Sequence, residues 1–154
     1  MRLVVAVVGK ARHAALSEAI RDYEQRAARY WPLDVQEVRE ERASGVTIAK
    51  VMQREGERLA ERIPDRARRV TCEVGGKSLT SEQFADFLRS ARDEDRDIAF
   101  LIGGAYGLSP SVTSASTMKL SLAPWTLPHE IARLVLAEQI YRAGTIVRGE
   151  PYHK

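Results

Sequence analysis

Leu3-Val-Val-Ala-Val-Val8 is an unbroken run of six apolar residues, four of them valine. A strand with one solvated face alternates apolar and polar side chains. A continuous β-branched run belongs instead to a strand buried on both faces, which means a mainly parallel sheet with helices packed above and below it. The run is too short to span a bilayer. With one Arg before it and Gly9-Lys-Ala-Arg12 after it, it also makes a poor export signal, so a cytoplasmic protein is expected.

The rest of the chain fits that frame. Leu16, Ile20, Tyr23, Ala27 and Tyr30 recur at steps of four and three, one stripe of an amphipathic helix that Trp31-Pro32 ends. Residues 33–38 read as a strand, and 39–45 as a polar, mobile loop. Ile48, Val51, Met52, Leu59 and Ile63 mark a second helix with Gly56 as its weak point, closed by Pro64. A strand over 70–74 is expected to stop at Gly75-Gly76. Thr80 and Gln83 can form a capping box for a helix carrying Phe84, Phe87 and Leu88. A strand over 98–102 enters Gly103-Gly104. Ser109 and Pro110 suit an N-cap and first helical position. A strand over 120–123 and a helix over 129–143, with Ile131, Leu134, Val135, Glu138 and Tyr141, complete the series. Strands alternating with helices predict an α/β fold in one domain over 1–154, with no internal repeat or linker.

The composition closes some routes to function. Cys72 is the only cysteine and His13, His129 and His153 the only histidines. None has metal-ligand spacing with another, so neither a disulfide within the chain nor a metal site is expected. A net charge of +3 permits a phosphate-backbone partner without requiring one.

Three segments carry the chemistry. In Phe100-Leu-Ile-Gly-Gly-Ala-Tyr-Gly-Leu-Ser-Pro110 a strand runs into glycines and then a helix start. Glycines there either let backbone N–H groups approach a ligand or satisfy a tight left-handed turn. The spacing is neither the dinucleotide fingerprint nor a P-loop. In Leu120-Ser-Leu-Ala-Pro-Trp-Thr-Leu-Pro-His129 two prolines stiffen a strand-to-helix loop. It is either a rigid connector or a fixed set of backbone groups for a base edge. The last helix and tail bring Arg142, then Tyr152, His153 and Lys154: a cation, a phenol and a titratable imidazole at an end that ordinarily frays.

Taken together, Leu101-Ile-Gly-Gly-x-x-Gly-Leu-Ser-Pro110, Leu120-Ser-Leu with Thr126-Leu-Pro-His129, Ala137-Glu-Gln-Ile-Tyr-Arg-Ala143 and Pro151-Tyr-His153 resemble the ribosomal large-subunit methyltransferase H family. The Val5-Ala-Val-Val-Gly9 start and Arg54-Glu-Gly-Glu57 are similar to it as well. The resemblance spans nearly the whole chain. It implies a SPOUT α/β fold whose C-terminal part forms a trefoil knot, a feature that general folding rules would reject. It also implies a homodimer with the active site completed across the two-fold, and S-adenosyl-L-methionine (AdoMet) as methyl donor. The implied substrate is N3 of a pseudouridine in 23S rRNA within the assembled 70S ribosome. A tRNA substrate, or an inert ribosome-binding role, is the alternative. By position, the donor pocket would include Cys72, Gly103, Gly104, Leu122, Ala123, Pro124, Trp125, Thr126 and Leu127. Arg142, Tyr152 and His153 would be catalytic, with His129 a further candidate. Cys72 departs from the larger aliphatic residue usual in the family, and Ala105-Tyr106 from a more polar or proline-containing pair. Gly104→Val is expected to fill the donor's space in a protein that still folds.

Overall fold

The structure is a computed structural model that describes residues 1–153, with His153 through its backbone alone. In chain order it forms β1 (Leu3–Val8), α1 (Ala14–Ala27), β2 (Leu33–Val38), α2 (Ile48–Ala60), β3 (Arg68–Ser78), α3 (Ser81–Asp93), β4 (Ile98–Ile102), α4 (Pro110–Ser114), β5 (Met118–Ser121), α5 (His129–Val147) and a 3-10 turn, Pro151–His153. The sheet order is β2-β1-β4-β3-β5, and all four strand pairings are parallel. All carboxyl ends therefore lie along one rim.

The apolar run becomes β1, paired on both edges and buried at every residue. Its side chains feed two cores in alternation. Leu3, Val5 and Val7 join Trp31, Phe84, Leu88, Phe100, Leu136 and Ile140 on the face covered by α1, α3 and α5. Val4, Ala6 and Val8 join Leu59, Ile63, Leu101 and Val112 on the face covered by α2 and α4.

Local signals end the helices where expected. The Thr80–Gln83 capping box forms in both directions. Ser109 accepts from the Val112 N–H, with Pro110 at the first helical position. Trp31 turns inward after α1 and donates its indole N–H to the Ile140 carbonyl at 3.1 Å.

Other features depart from the expected pattern. Strand β3 does not stop at Gly75-Gly76; it resumes beside β5 after a bulge, with Cys72 and Lys77 both opposite Leu120. A Cβ at Gly76 would lie 2.6 Å from the Leu120 carbonyl carbon, so only glycine lets the strand rejoin. Strand β5 starts and ends two residues earlier than expected, at Met118 and Ser121. Gly56 is less a weak point than a contact: a Cβ there would meet Ser109 Oγ at 2.5 Å, where α2 crosses α4. The loop after β2 is pinned rather than mobile, because Glu41 pairs with Arg54 and Arg58 of α2. Helix α5 runs four residues past Ala143 and buries Ala132, Arg133, Leu136, Ala137, Ile140 and Ala143. Ile131, Leu134 and Val135, the apolar stripe in the sequence, are only half-buried and outside the core.

Candidate functional site

The bulge within β3 after Cys72, the glycine turn after β4 and the proline loop after β5 lie on three neighbouring strands. They enclose a hollow of about 630 Å³. Its position, at the carboxyl ends of strands in an open parallel sheet, is where such sheets bind ligands, and its size is that of a small-molecule site. Cys72, Gly103, Gly104, Leu122, Ala123, Trp125, Thr126, Leu127 and His129 line it, together with Glu73, Leu108 and Ala132. Of the expected donor-site residues only Pro124, exposed on the loop, is not part of the lining. Trp125, largely solvent-exposed, and Val74, about half-exposed, also belong to the lining.

The glycines shape this hollow indirectly. A Cβ at Gly103 would lie 2.7 Å from the Gly107 carbonyl carbon. One at Gly104 would meet Glu55 Oε2 at 2.8 Å and Val8 Cγ1 at 3.0 Å. Gly107 has φ +82°, the left-handed region, and Gly104 and Gly107 bridge each other. Glycine is thus required to close the turn. The expectation that Gly104→Val fills the hollow of an otherwise intact fold is corrected, since the added side chain drives into Glu55 and β1.

The lining is mostly apolar and, among the described residues, contains no Lys or Arg. To a phosphate-bearing ligand it offers no guanidinium or ammonium among the described residues, only the N-terminus of α5 at His129. It suits a flat heterocycle with an uncharged or cationic remainder. The Cys72 thiol is pushed up to about 12, first by burial and then by neighbouring Glu73. It stays protonated and acts as a small packing group. Two buried polar atoms in the lining have no hydrogen-bond partner: Glu73 Oε1 and His129 Nε2. Buried polar atoms are ordinarily paired; Glu73 Oε1 is thus an unmet acceptor beside the hollow, whereas His129 Nε2 faces Gly9 and Glu40. That combination fits a sulfonium-bearing nucleoside.

His129 opens α5, with Nε2 3.8 Å from Glu40 Oε1. Arg12 ties this corner together, its side chain on Glu40 and its N–H on Glu130 at 2.6 Å. Arg142 and Tyr152 come together elsewhere. Arg142 pairs with Glu138 at 2.9 Å and lies 4.9 Å from the centre of the Tyr152 ring. Tyr152 donates to Glu138 at 3.2 Å and packs on Tyr141 with ring centres 4.6 Å apart. The tail is docked there through Tyr152. Burial, then hydrogen bonding to Tyr23 and the charge of Glu138, pushes the Tyr152 phenol well above its usual range. The Arg142 cluster and His129 are thirteen residues apart on one helix, about 20 Å at the α-helical rise. One chain therefore does not bring Arg142 and Tyr152 to its own hollow. The imidazole of His153 and all of Lys154 lie outside the described residues. Among those residues no group of His, Cys, Asp or Glu could hold a metal, and no helix is long and apolar enough to cross a membrane.

Sequence reasoning missed Glu73, Leu108 and Ala132 as lining residues. Glu73 carried one signal, its position at a strand's carboxyl end before two glycines. The turn of α5 that faces Ala132 inward left none, because the stripe of Ile131, Leu134 and Val135 pointed to another side of that helix.

A family described as "Predicted SPOUT methyltransferase" matches residues 1–153. The chain is 56% identical over 154 residues to a ribosomal RNA large subunit methyltransferase H of Gemmatimonas aurantiaca, covering 100% of each. It is 42% identical to one of Geobacter sp. (strain M21), covering 99% of each. A solved "probable methylase family protein" of Haemophilus influenzae Rd KW20 shares the fold with TM-score 0.55 at 11% identity, over 99% of this chain and 70% of that one.

Proposed function

Because the chain belongs to the SPOUT methyltransferase family, in its ribosomal RNA large subunit methyltransferase H branch, we propose that it methylates N3 of a pseudouridine in 23S rRNA on the assembled 70S ribosome, with AdoMet as donor. The observation that carries this reading is the hollow itself: the bulge within β3 and two strand-end loops meet around a mostly apolar space that, among the described residues, holds no Lys or Arg and has an unpaired buried acceptor at Glu73. Cys72, Gly103, Gly104 and the 122–127 loop would hold the donor. When bound, the donor supplies an electrophilic methyl on a sulfonium, so the protein's part is placement and charge control.

The reaction also needs a group that stabilises the anion left when N3 loses its proton. Arg142 suits that role, since it is permanently charged and fixed by Glu138 and the Tyr152 ring. Arg142 acts from a second copy of the chain in this reading. Two α5 helices running antiparallel about a two-fold near Val135 bring Arg142 of the partner subunit level with His129, because 135 lies midway between 129 and 142. The half-buried Ile131, Leu134 and Val135 lie at and just before that point and offer the apolar contact. The proton would leave to water or to an imidazole, His153 or His129. The family's knot, a cytoplasmic location and a single functional domain belong to the same proposal.

The test is transfer of labelled methyl from AdoMet to ribosomes that lack the modification, with the nucleotide mapped afterwards. Label on a 23S pseudouridine of 70S particles supports the reading. Label on tRNA or on free subunits alone refutes it.

A further inference from the structure

Among the described residues, Glu73 supplies the only carboxylate in the lining of the hollow. The backbone makes an unusual effort to put it there. Residues 73–76 leave the β3–β5 ladder between Cys72 and Lys77, both of which pair with Leu120. A strand that continued in register would send residue 73 along the ladder instead of over the hollow. The carboxylate arrives with Oε1 buried and without a hydrogen-bond partner. Such an acceptor is costly unless a ligand supplies donors.

We propose that Glu73 holds the sugar hydroxyls of the donor's nucleoside, and so selects a ribonucleoside for the pocket. This rests on the donor reading above. The donor offers three candidate partners for a carboxylate. Its sulfonium carries charge but no N–H or O–H, and so does not satisfy an orphaned acceptor. Its ammonium belongs to a zwitterion whose own carboxylate would need a cation, and among the described residues no Lys or Arg lines the hollow; that end is better left in water at the mouth. The vicinal hydroxyls remain: two neutral donors on adjacent carbons, matched to the two oxygens of one carboxylate. An acidic side chain at the carboxyl end of a parallel strand serves ribose hydroxyls in other open α/β sheets on the same physical grounds.

Calorimetric titration tests this without turnover. The ligands are S-adenosyl-L-homocysteine and its 2′-deoxy and 3′-deoxy counterparts; the proteins are the wild type, Glu73→Ala and Glu73→Gln. The wild type should bind at least one deoxy ligand about tenfold or more weakly than the parent, the worth of a hydrogen bond to a charged group. Glu73→Ala should lose a similar factor on the parent and no longer distinguish it from the deoxy ligands. Glu73→Gln, which keeps the size and one acceptor, should fall between. Without ligand, the melting temperature of Glu73→Ala should be unchanged or higher, since Oε1 leaves no partner behind. The inference is overturned if Glu73→Ala binds the parent as tightly as the wild type, or still discriminates against the deoxy ligands. It is equally overturned if that variant melts several degrees lower with discrimination intact, which marks a structural role. A wild type that binds none of the ligands sinks the donor reading itself, a result separate from all of these.

Discussion

Arg133 shows how one side chain can hold several elements in place. It is 7% exposed in α5 and donates to Glu24 of α1 at 2.7 and 3.2 Å and to Glu37 of β2 at 2.6 Å. Removing it strands two carboxylates, a change that costs about 3 kcal/mol at buried pairs. Urea unfolding of Arg133→Ala should show a loss of that order, with the cooperativity of the transition preserved. Glu55 offers a pH test. It is 4% exposed, accepts from the Glu41 N–H at 2.9 Å through one oxygen and leaves the other unpartnered. Burial first, and then the charges of Glu40 and Glu41 against that of Arg58, raises its carboxyl above the ordinary value of 4.5. The folded state therefore keeps this proton to higher pH than the unfolded chain does. Its contribution is fully present below 4.5 and is lost as pH rises through the raised value. Glu55→Gln removes that dependence. Thermal melts from pH 4 to 8 should show the variant gaining on the wild type as pH rises; parallel curves would mean Glu55 ionises normally.

At the scale of the element, the turn between β4 and α4 separates two uses of glycine. Gly103→Ala puts a Cβ against backbone 2.7 Å away, which no side-chain shift relieves. Gly107→Ala meets open space but must hold φ +82°, at a cost of about 1 kcal/mol. Denaturant melts should rank Gly103→Ala as clearly the worse, and titration with S-adenosyl-L-homocysteine should show binding lost there and only weakened at Gly107→Ala. Most elements were legible in advance because their signals are local: the valine run of β1, the Thr80–Gln83 box, Ser109-Pro110 and the prolines after α1 and α2. The loops of the site were legible for the same reason, as glycines and prolines at strand ends, and the family resemblance grouped them. The continuation of β3 past Gly75-Gly76 was not legible, since a glycine pair reads as a stop until Leu120 is known to lie against it. Nor was the buried side of α5, since Ile131, Leu134 and Val135 outline one stripe while the face that enters the core carries small Ala132 and charged Arg133 beside Leu136 and Ile140.

For the whole molecule, the separation of about 20 Å between His129 and Arg142 along α5 makes two copies a condition of activity under the proposed reading. Val135→Glu, on the half-buried stripe, should shift the protein from dimer to monomer in light scattering after gel filtration. It should abolish methyl transfer while leaving the S-adenosyl-L-homocysteine titration intact. Complementation checks the arrangement directly. Arg142→Ala lacks the cation, and Ala123→Trp fills the hollow with a side chain from its lining. Each should be inactive alone, and mixed dimers should recover a fraction of wild-type turnover, because one of their two sites combines an intact hollow with an intact Arg142. No recovery from a verified mixed dimer would mean that the cation serves its own chain. Truncation of 152–154 should likewise spare donor binding and remove transfer.

The break in the β3–β5 ladder also has a mechanical consequence. Edge strand β5 is fastened above and below the detour, at Val70 to Cys72 and again at Lys77 and Ser78, while the wall between hangs over the hollow. A ligand bridging that wall to the opposite loop would act as a third rivet on a strip otherwise free along its outer margin. Amide exchange across 118–121 should slow on loading, although the ligand's contacts lie beyond the strand itself.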